Sequence, residues 1–278
     1  MGSVMATGEK PDVTQVVLAR PGITVVVPTY NEAANLPRLL ARLVGALCAT
    51  GRPFEVIVVD DGSPDGSAAI VDAFAKSTDA RFSVLVRTGW RSLSTAVLAG
   101  ARAARFDCVA VLDADLSHDP AMLPALCAPV LAGSADVVVG SRYLAGGSIS
   151  GWTLRRRVTS WLGTAIARRL VPLRDPLSGF FAARRTVFQS AAHALRPRGY
   201  KILLELLGRA DSVLRVHELP IAFRNRSSGS SKFGARNAAS FAIQCTSLLA
   251  VRLRSSFTRS DSVDVRRILS ITSDLKPT

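Results

Sequence analysis

Five short apolar runs, separated by helix-length stretches and each ending in polar residues, constrain this chain more than any other feature. They cover residues 23–27, 54–59, 82–86, 108–112 and 135–139. Each is nearly continuous rather than alternating, the pattern of strands buried on both faces. Leu36, Leu39, Leu40, Leu43, Val44 and Leu47 form one stripe of period 3.6 between the first two runs, which predicts an amphipathic helix. Asn35 stands where an N-cap is expected, and Pro37 falls in the first turn, where proline is tolerated. Further helices are expected over 68–75, 93–104 and 121–131. Strand alternating with helix predicts an α/β fold: a mostly parallel central sheet with helices on both faces. In such sheets the ligand crevice lies beyond the carboxyl ends of the strands.

The second half has a different rhythm. A basic helix is expected over 154–170, a strand or hairpin around 180–184, a helix over 202–209 and a strand over 213–223. A Ser/Gly loop follows at 225–232 and an amphipathic helix at 237–253. Residues 1–20 and 255–278 are expected to be flexible tails. The division expected is one domain over 21–235, followed by a helix over 236–254 suited to a membrane interface. No run reaches the roughly 18–20 consecutive apolar residues of a spanning helix, and the first twenty residues lack the apolar core of a secretory signal. Four cysteines without a C-x-x-C pair are expected to be buried reduced thiols of a cytosolic protein.

The net charge of +14 is unevenly placed. Residues 142–259 hold 21 Lys and Arg against 4 Asp and Glu, a surplus of 17, while the remainder is at −3. A basic second half points to an anionic ligand or surface; on charge alone, nucleic acid and an anionic membrane both qualify.

The polar motifs fall at the ends of the runs. Asp113-Ala114-Asp115 closes the fourth. Alternation along a strand can aim both carboxylates one way, and two hard oxygen donors suit Mg²⁺ or Mn²⁺ carrying phosphate oxygens. A plain polar turn is the competing explanation. Pro28-Thr29-Tyr30-Asn31-Glu32 ends the first run and offers a ring for stacking on a base and a carboxylate for base or ribose groups. Asp60-Asp61-Gly62-Ser63-Pro64-Asp65-Gly66 ends the second. A turn explains its glycines and proline well and its adjacent acids poorly, because uncompensated carboxylates near a buried strand end are costly. Asp61, Asp113 and Asp115 together would repel a bare pyrophosphate, a conflict that a divalent cation removes. Arg142, after the fifth run, would reach the crevice as a phosphate clamp. Asp175-Pro176-Leu177-Ser178-Gly179-Phe180 and the loop from Arg226 to Lys232 come later; the loop's two cations suit closure over phosphate. His118 reads as a supporting or surface residue rather than a ligand. There is no nucleophile elbow and no P-loop.

Pro-Thr-Tyr-Asn-Glu, Val-Asp-Asp-Gly-Ser-Pro-Asp-Gly, Asp-Ala-Asp-Leu-Ser-His, Gly-Ser-Arg-Tyr, Asp-x-x-Ser-Gly-Phe and Arg-x-x-Gly-x-Ser-Lys occur in that order. Over residues 23–253 the chain resembles family 2 glycosyltransferases, most closely the polyprenyl- or dolichyl-phosphate mannosyltransferases. The resemblance implies a GT-A fold, a GDP-mannose donor and a polyprenyl monophosphate acceptor. It implies that Pro28, Tyr30, Glu32, Val59 and Asp61 contact the nucleotide and that Ala114 lines the donor site. Asp113 and Asp115 would be the catalytic metal ligands, for Mg²⁺ or Mn²⁺, and Arg142, Arg226 and Lys232 would bind phosphates. Three positions depart from the family. Ser117 stands where some relatives have a metal-binding Gln, which leaves the third protein ligand open. Ser92 replaces a glycine and restricts the backbone. Phe181 replaces a common Arg, removing a cation. The membrane domain fused to some members is not expected here, and a separate membrane-anchoring protein is left as an open partner.

The expected reaction is an inverting, metal-dependent mannosyl transfer by an enzyme peripheral to the cytoplasmic face of an anionic membrane. A UDP-glucose-using polyprenyl-phosphate glucosyltransferase is the alternative. A non-enzymatic nucleic-acid-binding protein is the remote one, and it leaves the acidic strand ends without a role.

Overall fold

Every residue of the first strand, β1 (Ile23–Thr29), is buried. A strand can be buried throughout only when both faces of its sheet are covered, and that condition organises the molecule. The computed structural model describes residues 20–89, 91–191, 195, 201–210, 212–225, 235–257 and 268–271. After β1 come α1 (Leu36–Cys48), β2 (Phe54–Asp60), α2 (Ser67–Ser77), β3 (Phe82–Val86), α3 (Leu93–Ala103) and β4 (Cys108–Val111). A 3₁₀ turn, Pro120–Met122, leads into α4 (Leu123–Leu131), β5 (Val137–Ser141), β6 (Ser148–Ile149) and α5 (Leu154–Leu170). Then follow β7 (Phe181–Arg184), α6 (Arg185–Ala191), α7 (Ile202–Gly208), β8 (Leu214–Pro220), β9 (Ala222–Phe223), α8 (Ala235–Phe257) and β10 (Ile268–Ile271).

One eight-stranded sheet has the order β10-β8-β5-β7-β4-β1-β2-β3, and β6 pairs with β9 apart from it. Its ladders are parallel except at β7, which runs antiparallel to both β4 and β5. Side-chain alternation sends Val26 and Val59 to one face, with α3, α6 and α7. Val25, Val27 and Val58 go to the other, with α1 and α4. Leu36, Leu39, Leu40, Leu43 and Leu47 of α1 have no exposed surface, so truncating any one to alanine should cost about 2–5 kcal/mol. Gly100 lets α3 lie directly on the sheet: a Cβ there would meet Val26 Cγ1 at 2.4 Å and Val59 Cγ2 at 3.0 Å.

Several sequence expectations need correction. Asn35 occupies the N-cap of α1 with a helical backbone and makes no side-chain cap; its amide donates instead to Glu32 Oε2 at 2.7 Å. The strand expected over 213–223 is two strands, β8 and β9, the second pairing with β6. The tail expected to be flexible over 255–278 contains β10, which extends the sheet beside β8. Of the cysteines, Cys108 and Cys127 are buried, Cys48 is exposed and Cys245 is partly exposed. The Ser/Gly loop with Arg226 and Lys232 lies outside the described residues, apart from Asn225.

Candidate active site

The carboxyl ends of β1 and β2 are stitched to each other before they offer anything to a ligand. Asn31 adopts a left-handed backbone, φ +57°, which turns three successive amides toward the next loop. Asn31 N–H donates to Ser63 Oγ at 2.9 Å, Glu32 N–H to Ser67 Oγ at 3.1 Å and Ala33 N–H to Asp65 Oδ2 at 2.9 Å. Asp60 accepts from the Ser63 amide at 2.9 Å and from the Ser63 hydroxyl. Asp60, Ser63, Asp65 and Ser67 therefore build the turn, and the turn explanation holds for those four.

Asp61 does something else. It is 8% exposed, with Oδ1 at 3.4 Å from Arg87 Nη1. Burial raises its carboxyl above the usual range, opposed by Arg87, the Ser92 amide and Arg91. Arg91 closes this wall: Nη1 donates to the Tyr30 hydroxyl at 2.7 Å, and its guanidinium lies 4.4 Å from the ring centroid. Tyr30, Asp61, Arg87 and Arg91 together present a ring, a carboxylate and two cations. Arg87 and Arg91 were missed from sequence; Arg87 directly follows β3 and Arg91 comes five residues after it, the one signal available. Pro28 and Val59 are buried partners in the β1–β2 ladder, and Val59 is fully buried in the core. What they can offer a ligand is backbone. Glu32 is half-buried and holds Asn35.

Asp113, Ala114 and Asp115 lie in the turn beyond β4 rather than on the strand. The Asp113 side chain is 30% exposed, while Asp115 is 5% exposed and accepts the Ser117 amide at 3.1 Å. Leu116, with φ +60°, makes that return possible. His118 is buried between the rings of Phe180 and Phe223, both at 5.0 Å, with Nε2 at 3.6 Å from Asp113 Oδ2. It lies beside the carboxylate without a hydrogen bond to it and is buried rather than on the surface. Gly179 lies against the same acid: a Cβ there would sit 2.9 Å from Asp113 Oδ2.

Among the described residues, no three His, Cys, Asp or Glu side chains gather as a metal site. Asp61 therefore does not join Asp113 and Asp115 in a three-carboxylate metal site. One or two carboxylates completed by phosphate oxygens and water is nonetheless the donor set that Mg²⁺ and Mn²⁺ accept, so the pair fits such an ion. Ser117 is 1% exposed, and its hydroxyl has no hydrogen-bond partner among the described residues.

Arg142 is not a free clamp. Its Nε and Nη2 donate to Asp175 Oδ2 and Oδ1 at 2.7 and 2.8 Å, and its amide donates to Oδ2 at 3.1 Å. Asp175 is fully buried and Arg142 8% exposed. Burial opposes both charges, but each partner outweighs it: Asp175 is held below the usual carboxylate range and Arg142 above the usual guanidinium value. Glu218 fixes the loop from behind, accepting the Arg174 and Asp175 amides at 2.7 and 2.9 Å. Arg142 still lines a cavity of about 470 Å³ with Tyr143, Gly147, Ser148, Ile149, Arg157 and Trp161. Lys201, not anticipated from sequence, lies nearby. Burial and Arg142 push its ammonium down to about 8, against Asp113 and Asp175.

Two of the departures from the family pattern now have a physical reading. Ser92 has φ −156° and ψ 131°, extended backbone open to any residue, so replacing glycine there costs no strain. Phe181 is fully buried in β7, a position no arginine would occupy cheaply.

The sequence is 37% identical over 214 residues to a dolichol-phosphate mannosyltransferase of Pyrococcus furiosus, covering 76% of this chain but only 58% of that protein. It is 37% identical over 220 residues to a polyprenol monophosphomannose synthase of Mycolicibacterium smegmatis, covering 77% of this chain and 81% of that protein. A dolichol-phosphate mannosyltransferase of Mycosarcoma maydis matches at 36% over 222 residues, 78% of this chain and 75% of its own. Among solved structures, glucosyl-3-phosphoglycerate synthase from Mycobacterium tuberculosis superposes with a TM-score of 0.58 at 23% identity, covering 81% of this chain and 80% of that one. Mannosyl-3-phosphoglycerate synthase from Rubrobacter xylanophilus gives 0.53 at 17%, covering 88% and 77%. Those likenesses establish the GT-A type of fold. The family model for glycosyl transferase family 2 matches residues 24–192, the stretch from β1 through α6 that builds most of this crevice; the chain belongs to that family.

Proposed function

We propose that the protein transfers mannose from GDP-mannose to a polyprenyl monophosphate, with inversion at the anomeric carbon. The observation that carries this reading is the identity of 36–37% to proteins named for mannosyl transfer to dolichol or polyprenol phosphate. The geometry supports it. Tyr30 and Arg91 offer a stacking surface for a base, and Asp61 a carboxylate for its donors or those of the ribose. Asp113 and Asp115 would hold Mg²⁺ or Mn²⁺, which when bound supplies charge neutralisation for the departing diphosphate. His118 packs beside Asp113, with Nε2 3.6 Å from Oδ2. The Arg142–Asp175 ion pair, neutral as a unit, sets a rigid polar wall, beside which an acceptor phosphate is positioned for direct attack. Such a phosphate has a second pKa near 6 and is mostly dianionic at pH 7. It therefore needs no general base, and positioning with electrostatic stabilisation is the task left to the protein.

The acceptor's lipid tail calls for a membrane surface, and two helices suit one. Among the described residues nine large hydrophobic side chains are exposed, and seven of them lie on α5 and α8. On α5 these are Leu154, Val158, Trp161, Leu162 and Ile166, one stripe at helical spacing. Gly163 of α5 faces Phe241 of α8, with 3.8 Å from a Cβ at 163 to the ring, so the two helices form a common surface. Neither helix contains an acid, and α5 carries five arginines, which favours an anionic lipid surface. From sequence the interfacial role fell on the C-terminal helix alone; α5 is the stronger candidate. No helix among the described residues is long and apolar enough to cross a membrane.

The test is transfer of radiolabelled sugar into an organic-extractable product from GDP-mannose or UDP-glucose, with polyprenyl phosphate in vesicles. Mannose transfer that disappears in Asp115→Ala with the circular dichroism unchanged supports the reading. Preference for UDP-glucose would replace the donor. RNA or DNA binding that survives Asp115→Ala, with no transfer, would overturn it.

A further inference from the structure

Lys201 sits at a junction of the fold that the reading above does not use. It occupies the N-cap position of α7. Its Nζ donates to the Leu177 carbonyl at 3.1 Å. Leu177 lies midway in a short turn whose two ends are already committed. Two residues before it, Asp175 holds Arg142; two residues after it, Gly179 lies against Asp113. The ammonium is therefore fixed beside the turn that joins the candidate metal carboxylate to the arginine wall.

The charges around it are two of each sign, so Lys201 itself leaves the cluster with a surplus of one positive charge. Asp113 and Asp175 favour its positive charge, while Arg142 and Arg156 oppose it. Asp175 is fully engaged by Arg142, through both carboxylate oxygens. Three cations, Lys201, Arg142 and Arg156, thus share one corner. Like charges grouped in a partly buried region repel strongly, and a multiply charged anion relieves that repulsion by interacting with all of them. A cation bound by Asp113 would make the corner more positive still.

The other end of Lys201 is tied to α8. Gln244 Nε2 donates to the Lys201 carbonyl at 2.9 Å and to Glu205 Oε2 at 3.0 Å. Glu205 in turn holds Arg209, whose Nη2 reaches Ser247 of α8 at 2.7 Å. Gln244 is 7% exposed and one residue from Ile243, which is 63% exposed on the apolar surface. One side-chain hydrogen bond therefore separates the exposed face of α8 from the backbone that carries the ammonium.

We propose that Lys201 is a substrate-binding residue for the acceptor's phosphate monoester, and that Gln244 is a positioning residue that sets its place from α8. This rests on the reading that the acceptor is a prenyl phosphate.

The experiment uses the full chain and two readouts. One is binding of farnesyl phosphate by calorimetry, with farnesol as the control lacking phosphate. The other is initial-rate kinetics against polyprenyl phosphate and against donor. Lys201→Met should weaken farnesyl phosphate binding and raise the acceptor KM about tenfold or more, the effect of losing a charged hydrogen bond, with donor KM within about twofold. Lys201→Arg should recover part of the loss. Gln244→Ala should raise the acceptor KM severalfold and leave donor KM alone. If the wild type transfers sugar and Lys201→Met binds farnesyl phosphate as the wild type does, the inference falls and the function stands. If the variant weakens donor and acceptor alike and also melts at lower temperature, Lys201 is structural and the inference falls. If the wild type binds farnesyl phosphate through Lys201 but transfers nothing to it, the phosphate site stands and the proposed reaction falls. No binding of farnesyl phosphate by the wild type overturns both.

Discussion

Asp175→Asn separates the charge of Asp175 from its shape. The native carboxylate is fully buried and takes three hydrogen bonds from Arg142, at 2.7, 2.8 and 3.1 Å. Asparagine keeps the volume and one acceptor but leaves the guanidinium buried without its counter-charge. Breaking one side of such a pair costs about 3–5 kcal/mol. With a urea m-value of about 3 kcal/mol/M, the unfolding midpoint should fall by about 1–1.7 M. Arg142→Met should relieve part of that loss, because Arg142 lies 5.4–5.7 Å from the ring centroids of Tyr143, Trp152 and Phe223, surroundings that accept an apolar chain. The double variant should therefore cost less than the sum of the singles by more than about 1 kcal/mol. The pH dependence has a definite sign. The folded-state carboxyl is held below its ordinary value, so its contribution is present above the unfolded value of about 4 and is lost as pH falls through the folded one. The gap between wild type and Asp175→Asn should be constant from pH 5 to 8 and close in acid. A loss under about 1 kcal/mol, or strictly additive costs, would refute the claim that this pair holds the wall.

Asp113→Asn and Asp115→Asn should both abolish Mn²⁺ binding measured by electron paramagnetic resonance with GDP present. Asp115→Asn alone should also lower stability, by about 1 kcal/mol, since only Asp115 is buried with its oxygen on the Ser117 amide. Arg91→Ala removes both the Tyr30 hydrogen bond and the cation above the ring; GDP affinity by calorimetry should drop about fivefold to tenfold. Gly100→Val forces a Cβ to within 2.4 Å of Val26, and thermal unfolding should report a loss of about 1–3 kcal/mol or more.

Much of the parallel sheet was legible because strands covered on both sides are mostly apolar, as over 23–27 and 54–59; the run 82–86 was read the same way but forms an edge strand buried only at Phe82. The direction of β7 was not legible. Phe181-Ala182-Ala183-Arg184 is equally apolar whichever way it runs, and only its neighbours decide. β10 escaped notice because four residues between polar stretches carry too little pattern. At the site, Asp113 and Asp115 could be read because the end of an apolar run fixes where they lie. The division of labour between Asp60 and Asp61 could not, since it depends on Ser63 and Arg87 arriving from elsewhere. The Asp175 motif was visible without a role, and the pairing of Arg142 with Asp175 was not foreseen. Which cation meets which carboxylate is settled by tertiary placement, and local sequence is silent about it. Lys201 was overlooked for the same reason.

β7 runs against its neighbours, with Phe181 level with Val111 on one side and Val139 on the other. The chain therefore enters this strand, rather than leaves it, at the rim where β1, β2, β4 and β5 end. The segment from Asp175 to Gly179 is consequently delivered as an approach, tethered downstream by a central strand and upstream by Glu218. A span clamped at both ends has little freedom to swing. Adjustment to an arriving substrate must come from the helices outside the sheet, so evolution could alter what this enzyme accepts by reshaping α5 and α8 while leaving Asp113 and Asp115 undisturbed.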